Sequence, residues 1–313
     1  MQRREFLGIV GSGVVGMWGG AGASLLMPGK RDVFVERWSW AMGQAVHLML
    51  FAGSEGEGLD ACAAALAELR RVEQHLTLFD DASDVCELNR RAGRGAMRVD
   101  ADLQRVLELA GRYRQATGGA FNVAVEPLMR VWGFHRPRAT EPGAAEIAEA
   151  REAVATAVVT LDADRARLPN SHTQLDLGGI GVGYGIDRAL DVLRARGIAR
   201  ALLDVSGDIG TLGAPPGERC WRVEIADPDH PGRTVGATPL ANAALATSAN
   251  TVSVVRFGTH TRGHVMNPVT GWPAHALRQA TVVAGTAVEA DALSTAMLVS
   301  GRAPGVRALH PVL

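Results

Sequence analysis

Residues 176–193, DLGGIGVGYGIDRALDVL, restrict the fold more than any other stretch of the chain. An acid closes an apolar run, a loop carrying five glycines follows, and apolar residues then return at helical spacing. The pattern is strand, loop, helix. Such a loop lets backbone amides approach an anion, and a helix N-terminus adds about half a positive charge in its favour. Asp176, just before the loop, is placed to hold a ribose or a base edge. The spacing is neither G-x-G-x-x-G with a following βαβ acid nor a Walker A loop. Two readings therefore stand side by side: a phosphate-binding turn and a packing turn.

The remaining segments set the fold class. Residues 40–51 alternate well enough to read as one strand. Residues 59–78 carry apolar positions at helical spacing with a charged opposite face, which predicts a long amphipathic helix. Ser83 caps a short turn toward Leu88 and Asn89. Residues 102–117 form another amphipathic helix, stopped by Gly118 and Gly119, which suit a cap needing positive φ. Residues 119–134 read as mostly irregular, 137–142 as a surface linker and 144–155 as a helix. A helix over 183–196 ends at Gly197. Strands follow at 201–205, 221–226, 252–257 and 280–284, and a helix over 291–299. Helices and strands alternate irregularly and no repeat is present. That pattern predicts an α+β fold with mixed or antiparallel sheets and packed helices, not a doubly wound one.

With 313 residues and a net charge of −1, the chain is long enough for one large domain or two modest ones. The balanced charge gives no sign of a nucleic-acid or polyanionic partner. The N-terminus differs from the rest. Arg3-Arg4 and Phe6-Leu7 precede a weakly apolar, glycine-interrupted stretch over 8–22, a poor membrane span. This reads as a twin-arginine export signal over residues 1–27, with Ala21-Gly22-Ala23 as the cleavage site and a retained anchor as the alternative. The expected folded domain is 32–313 and the expected location periplasmic. Cys62, Cys86 and Cys220 form no CxxC or zinc spacing. A Cys62–Cys86 bridge competes with burial of the thiols as small hydrophobes, and burial is favoured.

Three further segments carry chemical side chains. In DVSGDIGTLG, residues 204–213, Asp208 reads as a turn acid before a ligand. In ADALSTAML, residues 290–298, Asp291 and Thr295 are four apart on a helix, with Ser294 adjacent, so their oxygens share a face. Carboxylate and hydroxyl oxygens suit Mg²⁺. The competing reading is an N-cap Asp with helix-internal hydroxyls. In HVMNPVTG, residues 264–271, Asn267-Pro268 predicts a turn. His264 can serve as a general base near neutral pH, or be a structural or solvated loop residue.

Read together, these segments resemble the ApbE family of FAD:protein FMN transferases. The resemblance runs over MG at 42–43, SDVCELN at 83–89, TGGAFNVAVEPLMRVWGF at 117–134, DLGGIGVGYGID at 176–187, SGDI at 206–209, ATS at 246–248, HVMNPVTGWP at 264–273 and ADALSTAMLVSG at 290–301. It implies that Mg²⁺ bridges the FAD pyrophosphate while a Thr or Ser hydroxyl of a target protein attacks the FMN-side phosphorus and AMP leaves. By the same resemblance the metal ligands are Asp291, Ser294, Thr295 and the carbonyl of Gly179. Met42, Phe79, Ala120, Phe121, Asn122, Asp176, Val182 and Met266 fall where the family contacts FAD, and His264 falls on the histidine that activates the acceptor. The implied partner is an exported or membrane-bound redox protein, as for the ApbE-like accessory proteins of nitrous oxide respiration. Asn122, Val182 and Asn267 stand where the family carries charged residues, and 248–252 departs from the family's SG-x-Y/F-E-R stretch. Those departures keep open a flavin-binding protein with weak or lost transfer, and the same metal site would also serve an FAD pyrophosphatase with water as acceptor.

Overall fold

The computed structural model describes residues 32–230, 232–302 and 308–312, so the signal segment read over 1–27 lies outside the described residues. The first two strands, β1 (Val33–Ala41) and β2 (Gln44–Ala52), form a tight antiparallel hairpin. The sequence predicts a single strand across this region. The chain turns instead at Met42 and Gly43, with φ of 55° and 68°. A hairpin turn of type I′ needs positive φ at both central residues, normally signalled by Asn-Gly. Met gives no such signal, and the Met42 amide is tied down by Glu73 Oε2 at 2.7 Å.

Helix α1 (Glu55–Leu76) is capped by Ser54, and α2 (Asp84–Arg90) by Ser83, whose side chain accepts from Cys86 N. Strand β3 (Met97–Arg98) leads into α3 (Ala101–Ala116), which ends at Gly118 and Gly119 in positive φ. Residues 119–134 are more ordered than their sequence suggests. Asn122 caps a short 3₁₀ turn, Val123–Val125, that runs into α4 (Glu126–Val131). Six residues are too few to show a helical period. Next come α5 (Ala144–Ala155), β4 (Thr160–Asp162), β5 (Arg165–Arg167), α6 (Gly181–Ala195), β6 (Arg200–Val205) and β7 (Asp208–Leu212). The chain continues through β8 (Trp221–Ala226), β9 (Thr234–Leu240), β10 (Ala244–Ala249), β11 (Val254–Phe257), β12 (His260–Gly263), β13 (Gln279–Ala284), α7 (Ala287–Ser300) and β14 (Ala308–Val312).

The central sheet has the order β1-β2-β6-β7-β10-β13-β14, and every pairing in it is antiparallel. On one face α1 and α6 bury Leu48, Leu50, Leu69, Ile186 and Leu203. Each such side chain contributes about 1.5–3 kcal/mol by leaving water. Gly210 makes the close approach: a Cβ there would sit 2.6 Å from Ile186 Cγ2, so a side chain would push α6 off the sheet. The β8–β9 hairpin covers part of the other face through Trp221, Val223 and Ile225. A second core joins α3 and α7 around Leu103, Phe121, Ile180 and Ala296. All three cysteines are free, and burial pushes the Cys62 thiol up to about 11. No helix of the described residues is long and apolar enough to cross a membrane.

Candidate active site

The glycine loop is shaped by its own acid. Asp176 donates its amide to Val123 O at 2.7 Å and accepts the Gly178 amide on Oδ1 at 2.8 Å. The glycines that follow, inside α6, serve packing. A Cβ at Gly183 would lie 2.4 Å from Ala287 O and 2.8 Å from Asp291 Cβ, so α6 can rest on α7 only because that side chain is missing. The buried Gly183 amide then donates to Asp291 Oδ2 at 3.0 Å. Asp187, one turn on, accepts the Ala287 and Val288 amides at 2.8 and 2.9 Å and so satisfies the start of α7.

Helix α7 is capped by Thr286, so the reading of Asp291 as an N-cap does not hold. Asp291 and Ser294 are buried and turned inward. Ser248, on β10, completes a hydroxyl cluster, 2.8 Å from Ser294 Oγ and 3.2 Å from Thr295 Oγ1. Gly179 closes over it, because a Cβ at that position would be 3.1 Å from Thr295 Oγ1. The reading of Asp208 as the turn acid is also corrected. The β6–β7 turn is Ser206-Gly207, and its acid is Asp204, which accepts the Gly207 amide at 2.7 Å. Asp208 follows the turn and accepts the Thr247 amide at 3.2 Å. Burial and then the Asp291 charge hold the Asp208 carboxyl well above the usual carboxylate range. Burial likewise raises Asp291, against the Gly183 hydrogen bond that favours its anion.

Two carboxylates strained toward protonation beside three hydroxyls make a hard-oxygen donor set that a divalent cation would relieve. Among the described residues no group of three His, Cys, Asp or Glu side chains could hold a metal, so any ion here must draw on hydroxyl and carbonyl oxygens. The residues fit Mg²⁺ better than zinc.

His264 follows β12. Its amide donates to Ser253 O at 3.1 Å, and Phe134 lies edge-on with ring centroids 6.5 Å apart. Its Nδ1 is shut away from solvent without a partner. Burial depresses the imidazole pKa, and the Asp176 charge opposes that shift. Asn250 clamps the segment after His264: its Oδ1 accepts Val265 N at 3.0 Å and its Nδ2 donates to Ala274 O at 2.6 Å. Asn267 forms the predicted turn, accepting the Val269 and Thr270 amides at 2.9 and 3.1 Å.

The structure brings Gly179, Asp291, Ser294 and Thr295 together, with Phe121 Cε2 3.5 Å from a Cβ built on Gly179. Met42 packs between the two cores, and its sulfur is 2.6 Å from a Cβ built on Gly185. Ala120 is partly buried beside Phe121 in the α3–α7 core. Asn122 spends its side-chain oxygen on the Ala124 amide at 3.0 Å. Phe79 stands apart, 91% exposed. Val182 lies in the apolar core under the sheet and Met266 beside Trp132, so neither faces the hydroxyl cluster. Sequence reasoning missed Ser248, Asp187 and Asn250. Ser248 closes the quoted ATS segment, but its partners are 46 and 47 residues away, out of reach of local patterning.

Fold and site together define a class: antiparallel α+β proteins in which a glycine loop is pressed against a helix bearing oxygen donors. Residues 42–311 match the ApbE family, and the chain belongs to that family. It is 32% identical over 267 residues to an FAD:protein FMN transferase of Treponema pallidum, covering 76% of this chain and 72% of that one. An FAD:protein FMN transferase of Klebsiella pneumoniae is 28% identical over 285 residues, covering 86% and 83%. Among solved structures, the ApbE protein of Thermotoga maritima superposes with a TM-score of 0.78 at 26% identity, covering 85% of this chain and 87% of that one.

Proposed function

We propose that this chain transfers FMN from FAD to a Thr or Ser hydroxyl of an exported or membrane-bound redox protein, with release of AMP. The observation that carries the reading is the Gly183–Asp291 hydrogen bond, which fixes the first turn of α6 against the oxygen donors of α7. In the reaction the acceptor oxygen bonds to the FMN-side phosphorus, the bond to the AMP oxygen breaks, and the hydroxyl proton passes to a base. His264 is suited to that step, since its depressed pKa keeps the ring neutral and able to accept. Asp291, Ser294, Thr295 and the carbonyl of Gly179 would hold Mg²⁺. When bound, the ion neutralises charge on the pyrophosphate oxygens. The positive start of α6 favours the same anionic group. The twin-arginine segment supports a periplasmic site of action.

The deciding experiment incubates the purified protein with FAD, Mg²⁺ and an acceptor fragment, and measures covalent FMN and free AMP together. Covalent FMN above a His264→Ala control supports transfer. AMP without covalent FMN identifies a pyrophosphatase. One observation favours slow transfer with retained flavin binding: Val182 is buried in the apolar core, so position 182 offers the cofactor no polar group. FAD bound with neither product would mark that outcome.

A further inference from the structure

A cleft of about 1110 Å³ is lined by Phe79, Glu126, Arg130 and His135 among others. In that lining His135 stands between two carboxylates. Its Nδ1 is 3.6 Å from Glu126 Oε1, and its Nε2 is 3.5 Å from Asp176 Oδ2. Both separations exceed a good hydrogen bond, so the contact is between charges. Glu126 is 5% exposed, and its Oε2 is buried without a partner. Its Oε1 is held by Arg130 at 2.8 Å. A buried carboxylate with one oxygen unpaired is costly.

Asp176 is the neighbour that connects this pair to the glycine loop. One of its oxygens holds the Gly178 amide, and the other faces His135. The loop therefore fixes one side of the carboxylate and His135 the other. The His135 ring also meets Phe79 edge-on, with centroids 6.2 Å apart. Phe79 is an exposed aromatic ring in the lining of the same cleft.

We propose that His135, backed by Glu126, is a positioning residue that holds Asp176 in place for the bound flavin nucleotide. The role rests on the nucleotide reading given above. Burial works against the His135 cation, but the Glu126 and Asp176 carboxylates outweigh it and keep its pKa above the ordinary imidazole value. The same two carboxylates place His135 where Asp176 has to be oriented. Without His135, Asp176 keeps its loop contact but loses the constraint on its outer oxygen.

The test is FAD titration by flavin fluorescence, with Mg²⁺, on the full chain and five variants. His135→Ala should weaken FAD about tenfold, and Glu126→Gln should move the dissociation constant the same way by less. Combining His135→Ala with Asp176→Asn should weaken binding by less than about twofold beyond Asp176→Asn alone, the non-additivity of groups that act through one another. A purely structural role would lower the melting temperature without that coupling. His135→Gln, which keeps a polar group of similar reach without the charge, carries the test if the alanine variant does not fold, and should fall between wild type and His135→Ala. An unchanged FAD affinity in His135→Ala or His135→Gln, or fully multiplicative effects in the double variant, would overturn the proposal. A wild-type chain that does not bind FAD would overturn the transferase reading and this role with it, and the wild-type titration alone separates that result from the others.

Discussion

The two walls of the candidate site are built differently. On the α7 wall, Asp291, Ser294 and Thr295 sit on a helix whose start is held by Asp187 and whose flank is pressed against Gly183. Their polar atoms are locked by partners on α6 and β10. The His264 wall is a loop, held mainly by the side chain of Asn250 and the turn at Asn267. The first wall orients its groups by burial, which is costly unless every group is paired. The second orients one ring with a few hydrogen bonds and leaves its Nδ1 unpaired. The difference suits the tasks assigned to them: a donor set must stay fixed, whereas a base must meet an incoming acceptor.

That contrast can be broken at graded points. The largest effect is expected at Asp291→Ala, which removes the only carboxylate on the donor face of α7 and should lower covalent FMN formation by about 10³-fold, with loss of Mg²⁺ binding in a calorimetric titration. His264→Ala should lower the rate by about 10²-fold while leaving the FAD dissociation constant nearly unchanged, the signature of a group used in the transition state. The pH profile sharpens this point. Because burial lowers the His264 pKa below the ordinary 6.5, the neutral base persists as pH falls, and the acidic limb of the rate should lie below that value and vanish in the alanine variant.

Stability effects come next. Gly183→Ala should cost about 1–3 kcal/mol in denaturant unfolding, because the new methyl meets backbone and the Asp291 stem. Mg²⁺ affinity should fall with it, tying packing to the donor set. Asp187→Ala should cost about 1 kcal/mol, the usual loss of a helix cap, read as a drop in melting temperature. The smallest effect belongs to the loop wall. Asn267 Oδ1 already accepts two amides, and a carboxylate would accept the same pair. Asn267→Asp should therefore change the flavinylation rate by less than about twofold and stability by under about 0.5 kcal/mol. A large rise would show that the loop needs charge and not only a turn.

What the sequence shows of each wall follows the range of its contacts. The span of α5 is legible from composition and capping alone, and the α1, α3 and α7 helices are legible from periodicity. Asp291 and Thr295 could be paired by counting four residues along one helix. The hairpin at Met42 could not be seen, because its left-handed residue is held by Glu73 from another element. Asn250 looked like a departure in a loop, yet it clamps the His264 segment across 15 and 24 residues. His135 gave no signal, because its two carboxylates are gathered only by the fold. Local chemistry was visible, and chemistry assembled between elements was not.

Ser248 and Asn250 lie on opposite sides of a single residue at the end of β10. One touches the hydroxyls of α7, and the other holds the histidine loop. The span between the donor set and the base is therefore measured out by two residues of extended chain, about 3.3 Å each, and not by the looser path through 251–263. Insertions or deletions in that longer path should leave the reach between the two walls unaltered, whereas one residue added between 248 and 250 would turn a side chain to the wrong face and separate them. The tolerance of the site to change in length is concentrated on one side of this short ruler.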